Sequence, residues 1–349
     1  MDSSSANPHC PGPSPATDLA SFPRLLADIG GTNARFGWVD APGAPVAQVC
    51  RLPVPGFAGP AQAARSYLDG LARQLGQAYH PPRRAAFAVA TAVAGDRIAF
   101  TNSHWAFSRA EVQAALGLDG LVMLNDFEAL ALSLPCLGAS QWRAHAGVPP
   151  LAARGVLAVV GPGTGLGVGA VVPTCLGWVA LPGEGGHATL AAGDELESAL
   201  LTCVRRQYAH VSAERLLSGI GLPLLHRALG EVQGVQPAAL TATQIVDDGE
   251  AGSDALCSQT LDLFCALLGG FAGNVALTLG ARGGLYIGGG IVPRFAGRFF
   301  ASAFRERFEA KGRFRDYLAA IPTALITDTL AALSGAALAI EQQVTLEER

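Results

Sequence analysis

Asp126 has the residue type and the setting for proton chemistry on a hydroxyl. In LNDFEAL at 124–130 it follows an apolar run and precedes a helix-like stretch, so it stands where a strand ends and α/β clefts open. Phosphoryl transfer to an alcohol needs positioning, charge neutralisation and a carboxylate to accept the hydroxyl proton. The plain structural role for the same aspartate is a helix N-cap. Two glycine-rich hairpins supply a partner chemistry: LLADIGGTNARFGWV at 25–39 and VLAVVGPGTGLGVGAVV at 156–172. Each is an apolar strand, a tight turn and a second apolar strand. Without a Cβ in the way, backbone N–H groups at such turns approach an anion closely. Either turn alone is also an ordinary hairpin connection. As a matched pair, Gly30-Gly31-Thr32-Asn33 and Gly161-Pro162-Gly163-Thr164-Gly165 indicate a duplicated fold that grips a polyphosphate from both sides. Asp28, just before the first turn, is the candidate to hold a magnesium ion through water, because Mg²⁺ keeps much of its hydration.

Two further loops have the chemistry of hydroxyl recognition. LPGEGGHATL at 181–190 sets Glu184 and His187 between glycines, where a carboxylate and an imidazole can accept and donate hydrogen bonds. The bland counterpart is a loop with a surface glutamate and a core-satisfied histidine. Glu214, in VSAERLLSG at 211–219, adds a carboxylate, or else serves the macrodipole of a helix beginning at Ser212. The GGG at 288–290 ends a strand and leaves room for a flat ring to pass over the backbone. Rival nucleotide motifs fail. Lys311 is the sole lysine and sits in AKGRF, so neither a P-loop nor a protein-kinase strand lysine exists. GLGVGA at 165–170 loosely matches a dinucleotide fingerprint, but VGAVVP reads as a strand where that fingerprint requires a helix.

The elements that must hold these residues alternate between strand and helix patterns. Strands are expected at LLADIGG, ARFGWVD, 46–54, 85–93, RIAFTN, GLVMLND, VLAVVG, GVGAVVP and from 283. Helices are expected at 61–79, at SRAEVQAALG with Ser108 as N-cap and Gly117 after its end, at 127–134, 194–208, 212–218 and 261–280, and at about 329–343. The 349 residues suit two domains, and 50% hydrophobic with 15% charged residues describes a globular chain. A net charge of -4 gives no reason to expect nucleic acid or an anionic membrane as partner. Seven scattered cysteines without a CxxC pair read as incidental thiols of a reducing compartment. The Ser/Pro-rich first 22 residues lack the basic start and apolar core of a secretory signal and are expected to be a disordered extension. No apolar run is expected to reach the ~18 residues of a membrane span, and a cytoplasmic location is expected.

Taken together, ADIGGTNARF, TNSHWAFS, NDFEA, GTGLGVG, LPGEGGH, HVSAERLLSG and GGIVPRF, in this order from about residue 24, closely resemble the blocks of bacterial ATP-dependent glucokinases. These belong to the hexokinase–actin–Hsp70 superfamily, in the group without the zinc-binding cysteine motif. The resemblance implies the two-lobed, actin-like (ribonuclease H-like) α/β fold, with a small domain at 23–136 plus 327–349 and a large domain at 137–326. It implies phosphorylation of glucose at its 6-hydroxyl with ATP and Mg²⁺. Carried over, Asp126 is the base. Asn102, Asn125, Asp126, Glu184, His187 and Glu214 contact the sugar. Ala27, Asp28, Ile29, Gly30, Gly31, Thr32 and Asn33, then Gly163, Thr164 and Gly165, meet the nucleotide's phosphates, with Gly289 and Gly290 near the nucleoside. A homodimer is the family's common state. Kinases of other hexoses or with other donors are the near alternative. A sugar-sensing regulator would need a DNA-binding segment that the proline-rich extension cannot form.

Overall fold

The computed structural model describes residues 21–100, 103–147, 155–175 and 177–347. Two compact units divide it. Unit 1 runs to Gly138 and also takes in Thr174–Pro182 and the chain from Thr329 on; unit 2 comprises Ala139–Pro173 and Gly183–Asp328. The division expected at 136/137 and 326/327 has no counterpart of the Thr174–Pro182 excursion.

Unit 1 begins with β1 (Arg24–Ile29), which folds back into the antiparallel β2 (Asn33–Val39) and β3 (Ala47–Pro53). Then come α1 (Pro60–Leu75), β4 (Arg84–Val89), the small hairpin β5 (Arg97–Ala99) and β6 (Ala106–Ser108), α2 (Arg109–Leu116), β7 (Gly120–Asn125) and α3 (Asp126–Ser133). The sheet order is β3-β2-β1-β4-β7, with β4 and β7 parallel to β1. Near-continuous apolar runs such as AAFAV in β4 are what a parallel strand covered on both faces requires, and Ala85 through Val89 are fully buried. The helix signature at Ser108 holds: its side chain accepts the Glu111 N–H at 3.2 Å, and Gly117 closes α2 in the left-handed region at φ 66°.

Unit 2 is built from β8 (Trp142–Ala144), β9 (Leu157–Pro162) and β10 (Leu166–Thr174). The next strand, β11 (Gly177–Leu181), belongs to unit 1, where α3 packs against it. Unit 2 resumes with α4 (Glu195–Arg205), α5 (Leu222–Val232), α6 (Ala242–Ala251), α7 (Ala255–Leu279), β12 (Gly284–Ile287), α8 (Ala296–Ala301), α9 (Phe304–Glu309), α10 (Arg315–Ala319) and β13 (Thr323–Ile326). Its strands run β10-β9-β12-β13-β8. β9 and β10 form an antiparallel hairpin, β12 and β13 lie parallel to β9, and β8 is antiparallel at the far edge. The order and directions of β10-β9-β12-β13 repeat those of β2-β1-β4-β7, which is the duplication the paired hairpins imply.

Three sequence expectations need correction. Residues 212–218 form no helix. Ser212 does accept the Arg215 N–H (3.3 Å), but Ala213 and Glu214 give their N–H groups to Ala188 and Gly186 carbonyls, and turns follow. The run at 255–279 is long and apolar enough to cross a membrane by length and composition, contrary to the expectation. It is the core helix of unit 2: Gly269 and Gly273 let the α9 backbone approach so closely that a Cβ would strike the Phe304 and Phe308 carbonyls, and Lys311 Nζ donates to the Gly270 carbonyl at 2.8 Å. Packing also starts before residue 23. Buried Arg24 lies 3.9 Å over the Phe22 ring and donates to Ser21 Oγ at 3.2 Å. The rest of the expected extension, 1–20, lies outside the described residues. The chain ends in unit 1 with α11 (Ala331–Glu347), whose Glu341 faces Arg24 at 3.5 Å and whose Gly335 sits against the α3 backbone at Ala129.

Candidate active site

In unit 1 the parallel strands β1, β4 and β7 deliver their C-terminal ends to one sheet edge. The loop after β4 is tied to both neighbours: Ala90 N–H donates to the Ile29 carbonyl (2.9 Å), and Asn125 Nδ2 donates to the Thr91 carbonyl (3.2 Å). The first glycine turn closes with Gly30 N–H on the Asn33 carbonyl at 2.9 Å, and Val54 N–H holds the Thr32 carbonyl at 2.9 Å. The N–H groups of Gly31 and Thr32 have no partner among the described residues. Such unpaired donors at a glycine turn are what an anionic ligand can satisfy. Ala27 and Ile29 are fully buried core side chains, so any part they play for a ligand is through backbone.

Asp28 faces Arg35 across the β1–β2 register, with Arg35 Nη1 2.9 Å from Asp28 Oδ2. Burial pushes the Asp28 carboxyl above the usual range, and the Arg35 guanidinium opposes that. Asp28 Oδ1 has no hydrogen-bond partner among the described residues. A hard carboxylate oxygen of this kind fits a hydrated divalent cation.

Asp126 is the first residue of α3, and the N-cap role belongs to Asn125. Asn125 Oδ1 accepts the Phe127 N–H (2.9 Å) while Glu128 Oε2 accepts the Asn125 N–H (3.3 Å), a capping box that pins the strand-to-helix junction. Burial pushes the Glu128 carboxyl up, and the Asn125 N–H offsets it. Asp126 Oδ1 also accepts the Phe127 N–H at 2.9 Å, which orients the carboxylate at the start of α3. Asn102 lies outside the described residues.

Unit 2 gathers Gly163–Gly165, Glu184, His187, Glu214, Gly289 and Gly290. The second turn closes with Gly163 N–H on the Gly165 carbonyl (2.8 Å), and Gly219 N–H holds the Gly163 carbonyl (2.8 Å). Thr164 and Gly165 keep their N–H groups unpaired among the described residues, as Gly31 and Thr32 do in unit 1. Glu184 and His187 are exposed on a loop whose Gly186 packs against the Leu166 carbonyl. Glu214 stands between them and the turn: Oε2 accepts the Leu166 N–H at 2.9 Å, and Oε1 is 3.9 Å from His187 Nδ1. Gly289, at φ 78°, rests on the Pro162 carbonyl, and Gly290 borders open space. The residues that sequence reasoning missed here are Arg35, Glu128, Thr91 and the 219–220 backbone. The capping box is legible in N-D-F-E; the others show no local signal.

A duplicated α/β fold with two matched glycine turns and a carboxylate at a strand end is the architecture of the two-lobed, actin-like class. Similarity to known proteins narrows this. The glucokinase family model matches residues 25–343. The glucokinase of Chromobacterium violaceum is 48% identical over 318 residues, 91% of this chain and 89% of its own. That of Neisseria meningitidis serogroup C is 45% identical over 325 residues, 93% of this chain and 97% of its own. The crystal structure of a glucokinase from an Antarctic psychrotroph superposes with a TM-score of 0.82 at 37% identity, covering 91% of this chain and 98% of that one. The chain belongs to the glucokinase family.

Proposed function

We propose that this chain transfers the γ-phosphoryl group of ATP to the 6-hydroxyl of D-glucose, with Asp126 accepting the hydroxyl proton. Membership of the family supports an ATP-dependent hexose kinase acting on glucose. The observation that carries the assignment of roles is the edge of the unit 1 sheet, where an oriented carboxylate at the end of β7 shares a strand edge with a turn offering two unpaired N–H groups.

In this reading Gly31 and Thr32 of unit 1 and Thr164 and Gly165 of unit 2 donate to phosphate oxygens, and the open space at Gly290 admits the nucleoside. Asp28 Oδ1 receives a hydrated Mg²⁺, which supplies neutralisation of phosphate charge when bound. Asn125, Glu184, His187 and Glu214 hold sugar hydroxyls, with Asn102 as a further contact. Asp126 takes the proton from the hydroxyl as the new P–O bond forms, and ADP leaves with the electron pair of the broken bond. The Phe127 N–H, on Asp126 Oδ1, holds that carboxylate in place. The same proposal includes a cytoplasmic location and a homodimer, checked by cell fractionation and analytical ultracentrifugation.

The test is a sugar-by-donor panel: ATP, ADP and polyphosphate with Mg²⁺, against glucose, mannose, fructose and N-acetylglucosamine. Phosphorylation concentrated on glucose with ATP is expected. Activity spread over sugars or donors would keep the mechanism and change the substrate, and no transfer at all would overturn the reading. Asp126→Ala is expected to lower kcat by about 10²–10⁴-fold while much of the glucose affinity remains. Near-normal turnover would remove Asp126 from the role of base.

A further inference from the structure

Glu214 is placed to do more than meet a sugar. Its backbone is stitched to the Glu184–His187 loop, with Glu214 N–H donating to the Gly186 carbonyl (2.9 Å) and Ala213 N–H to the Ala188 carbonyl (2.9 Å). Its side chain reaches the other way and accepts the N–H of Leu166, the residue just after the second phosphate turn, at 2.9 Å. The approach is close: a Cβ on Gly165 would displace the Glu214 carboxylate from its place, and a Cβ on Gly186 would run into the Leu166 carbonyl. Leu166 is thus held at its N–H by Glu214 and closely packed at its C=O by Gly186.

The same segment returns to the turn at its far end. Gly219 N–H donates to the Gly163 carbonyl (2.8 Å) and Ile220 N–H to the Thr164 carbonyl (3.4 Å). Ser218, buried, locks the two ends together: its hydroxyl donates to the Glu214 carbonyl (2.7 Å) and accepts the Gly221 N–H (3.0 Å). Leu216 and Leu217 anchor the middle in the core of unit 2. These bonds connect the Glu184–His187 loop and the second turn through one continuous hydrogen-bonded segment.

We propose that Glu214 is a positioning residue for the second phosphate turn, so that a sugar engaging the Glu184–His187 loop orders Thr164 and Gly165 for phosphate before any nucleotide arrives. The proposal rests on reading Glu184, His187 and Glu214 as sugar contacts. It makes sugar and nucleotide affinity thermodynamically linked through unit 2, and linkage of this kind is reciprocal.

The test is hydrogen–deuterium exchange of the full chain with glucose alone, read at the peptide covering 160–170, together with calorimetric glucose titration. Expected is slower exchange at Leu166 and the turn on glucose binding. In Glu214→Ala, at glucose concentrations raised to saturation, that protection is expected to vanish, with Glu214→Gln intermediate. Steady-state kinetics separate this role from a purely sugar-binding one. Glu214→Ala raises KM for ATP about tenfold even at saturating glucose, whereas Glu184→Ala raises KM for glucose and leaves that for ATP within twofold. If glucose binds normally to the parent chain and exchange at 160–170 does not change, the coupling is refuted and the sugar site stands. If glucose does not bind at all, the sugar site falls and the proposal falls with it.

Discussion

The two glycine turns share a design and differ in how they are held. Both close on a glycine N–H, and both leave two successive N–H groups unpaired among the described residues. The first is braced from within its own hairpin and from the turn just after β3: Arg35 sits opposite Asp28 across the β1–β2 register, and Val54 N–H holds the Thr32 carbonyl. The second has no charge in its strands. It is braced from residues 214–220, which arrive from a distant part of the chain and carry the Glu214 carboxylate. A turn braced locally has its shape as soon as its hairpin forms. A turn braced at long range has a shape that depends on what else the bracing segment touches. Duplication of a fold therefore does not duplicate the behaviour of its sites.

Glycine substitution should expose the difference most strongly. Gly165→Ala must push Glu214 off Leu166, leaving a buried N–H unpaired, and is expected to lower kcat/KM by about 10²-fold, in line with a loss of about 2–3 kcal/mol. At Gly30 a Cβ would meet only the Asn33 carbonyl at 3.6 Å, an ordinary contact, so Gly30→Ala should fold as the parent and cost less than about tenfold. Equal losses in steady-state assays would mean that both turns are rigid by themselves. A smaller effect comes from the ion pair. Arg35→Ala leaves the Asp28 carboxylate without its cation and is expected to remove about 1 kcal/mol of stability by chemical denaturation. Glu214→Gln should change stability by less than that, because its carboxylate is one-third exposed and its duty is positional.

The smallest effect separates the units by pH. His145 in unit 2 is buried among Phe299, Phe300 and Phe304, and burial, with Arg305 and Arg143 adding, pushes its pKa down from 6.5 to about 4. Its Nδ1 lies 3.2 Å from Thr323 Oγ1, and Arg305 Nη1 lies 3.1 Å from that same oxygen. The other ring nitrogen, Nε2, is buried without a hydrogen-bond partner among the described residues, so protonating the ring would bury a charge with little to offset it. The unfolded chain takes up a proton near pH 6.5 and the folded one does not, so this histidine's contribution is complete above 6.5 and declines as pH falls toward 4. Between pH 8 and pH 6 the loss should be roughly 0.8 kcal/mol, measured by denaturant titration, and His145→Phe should abolish it. An unchanged pH slope in that variant would assign the sensitivity to another group.

The hairpins, the carboxylate at the end of β7 and the capped α2 were legible in the sequence, because each is specified by neighbours within a few residues. The helix expected at 212–218 failed for the reason that makes the segment interesting: Ala213 and Glu214 spend their N–H groups on a loop some 25 residues earlier, and no local propensity records that bond. The Asp28–Arg35 pair depends on hairpin register, which becomes visible only once the strands are paired. The capping box at Thr241 and Gln244 that starts α6 has a local signature, but it stands among apolar neighbours that obscure where the helix begins. Asp126 stands at the strand end as expected, yet the cap falls one residue earlier, to Asn125.

The order in which α7 and its cover appear has a consequence for how the chain is made. Emerging from a ribosome, Ala255–Leu279 precedes α9 and β13, and the glycine seam that receives the Phe304 and Phe308 backbone stays open until those residues are made. During that interval the nascent chain displays a helix apolar enough for a bilayer, with its earlier neighbours α5, α6 and β9 as partial cover. Biosynthesis of this chain therefore passes through a stage that is adhesive by composition, and slowing translation once Ala255–Leu279 has emerged but before α9 has followed should increase the yield of chaperone-bound or aggregated chains more than slowing it within the first 138 residues.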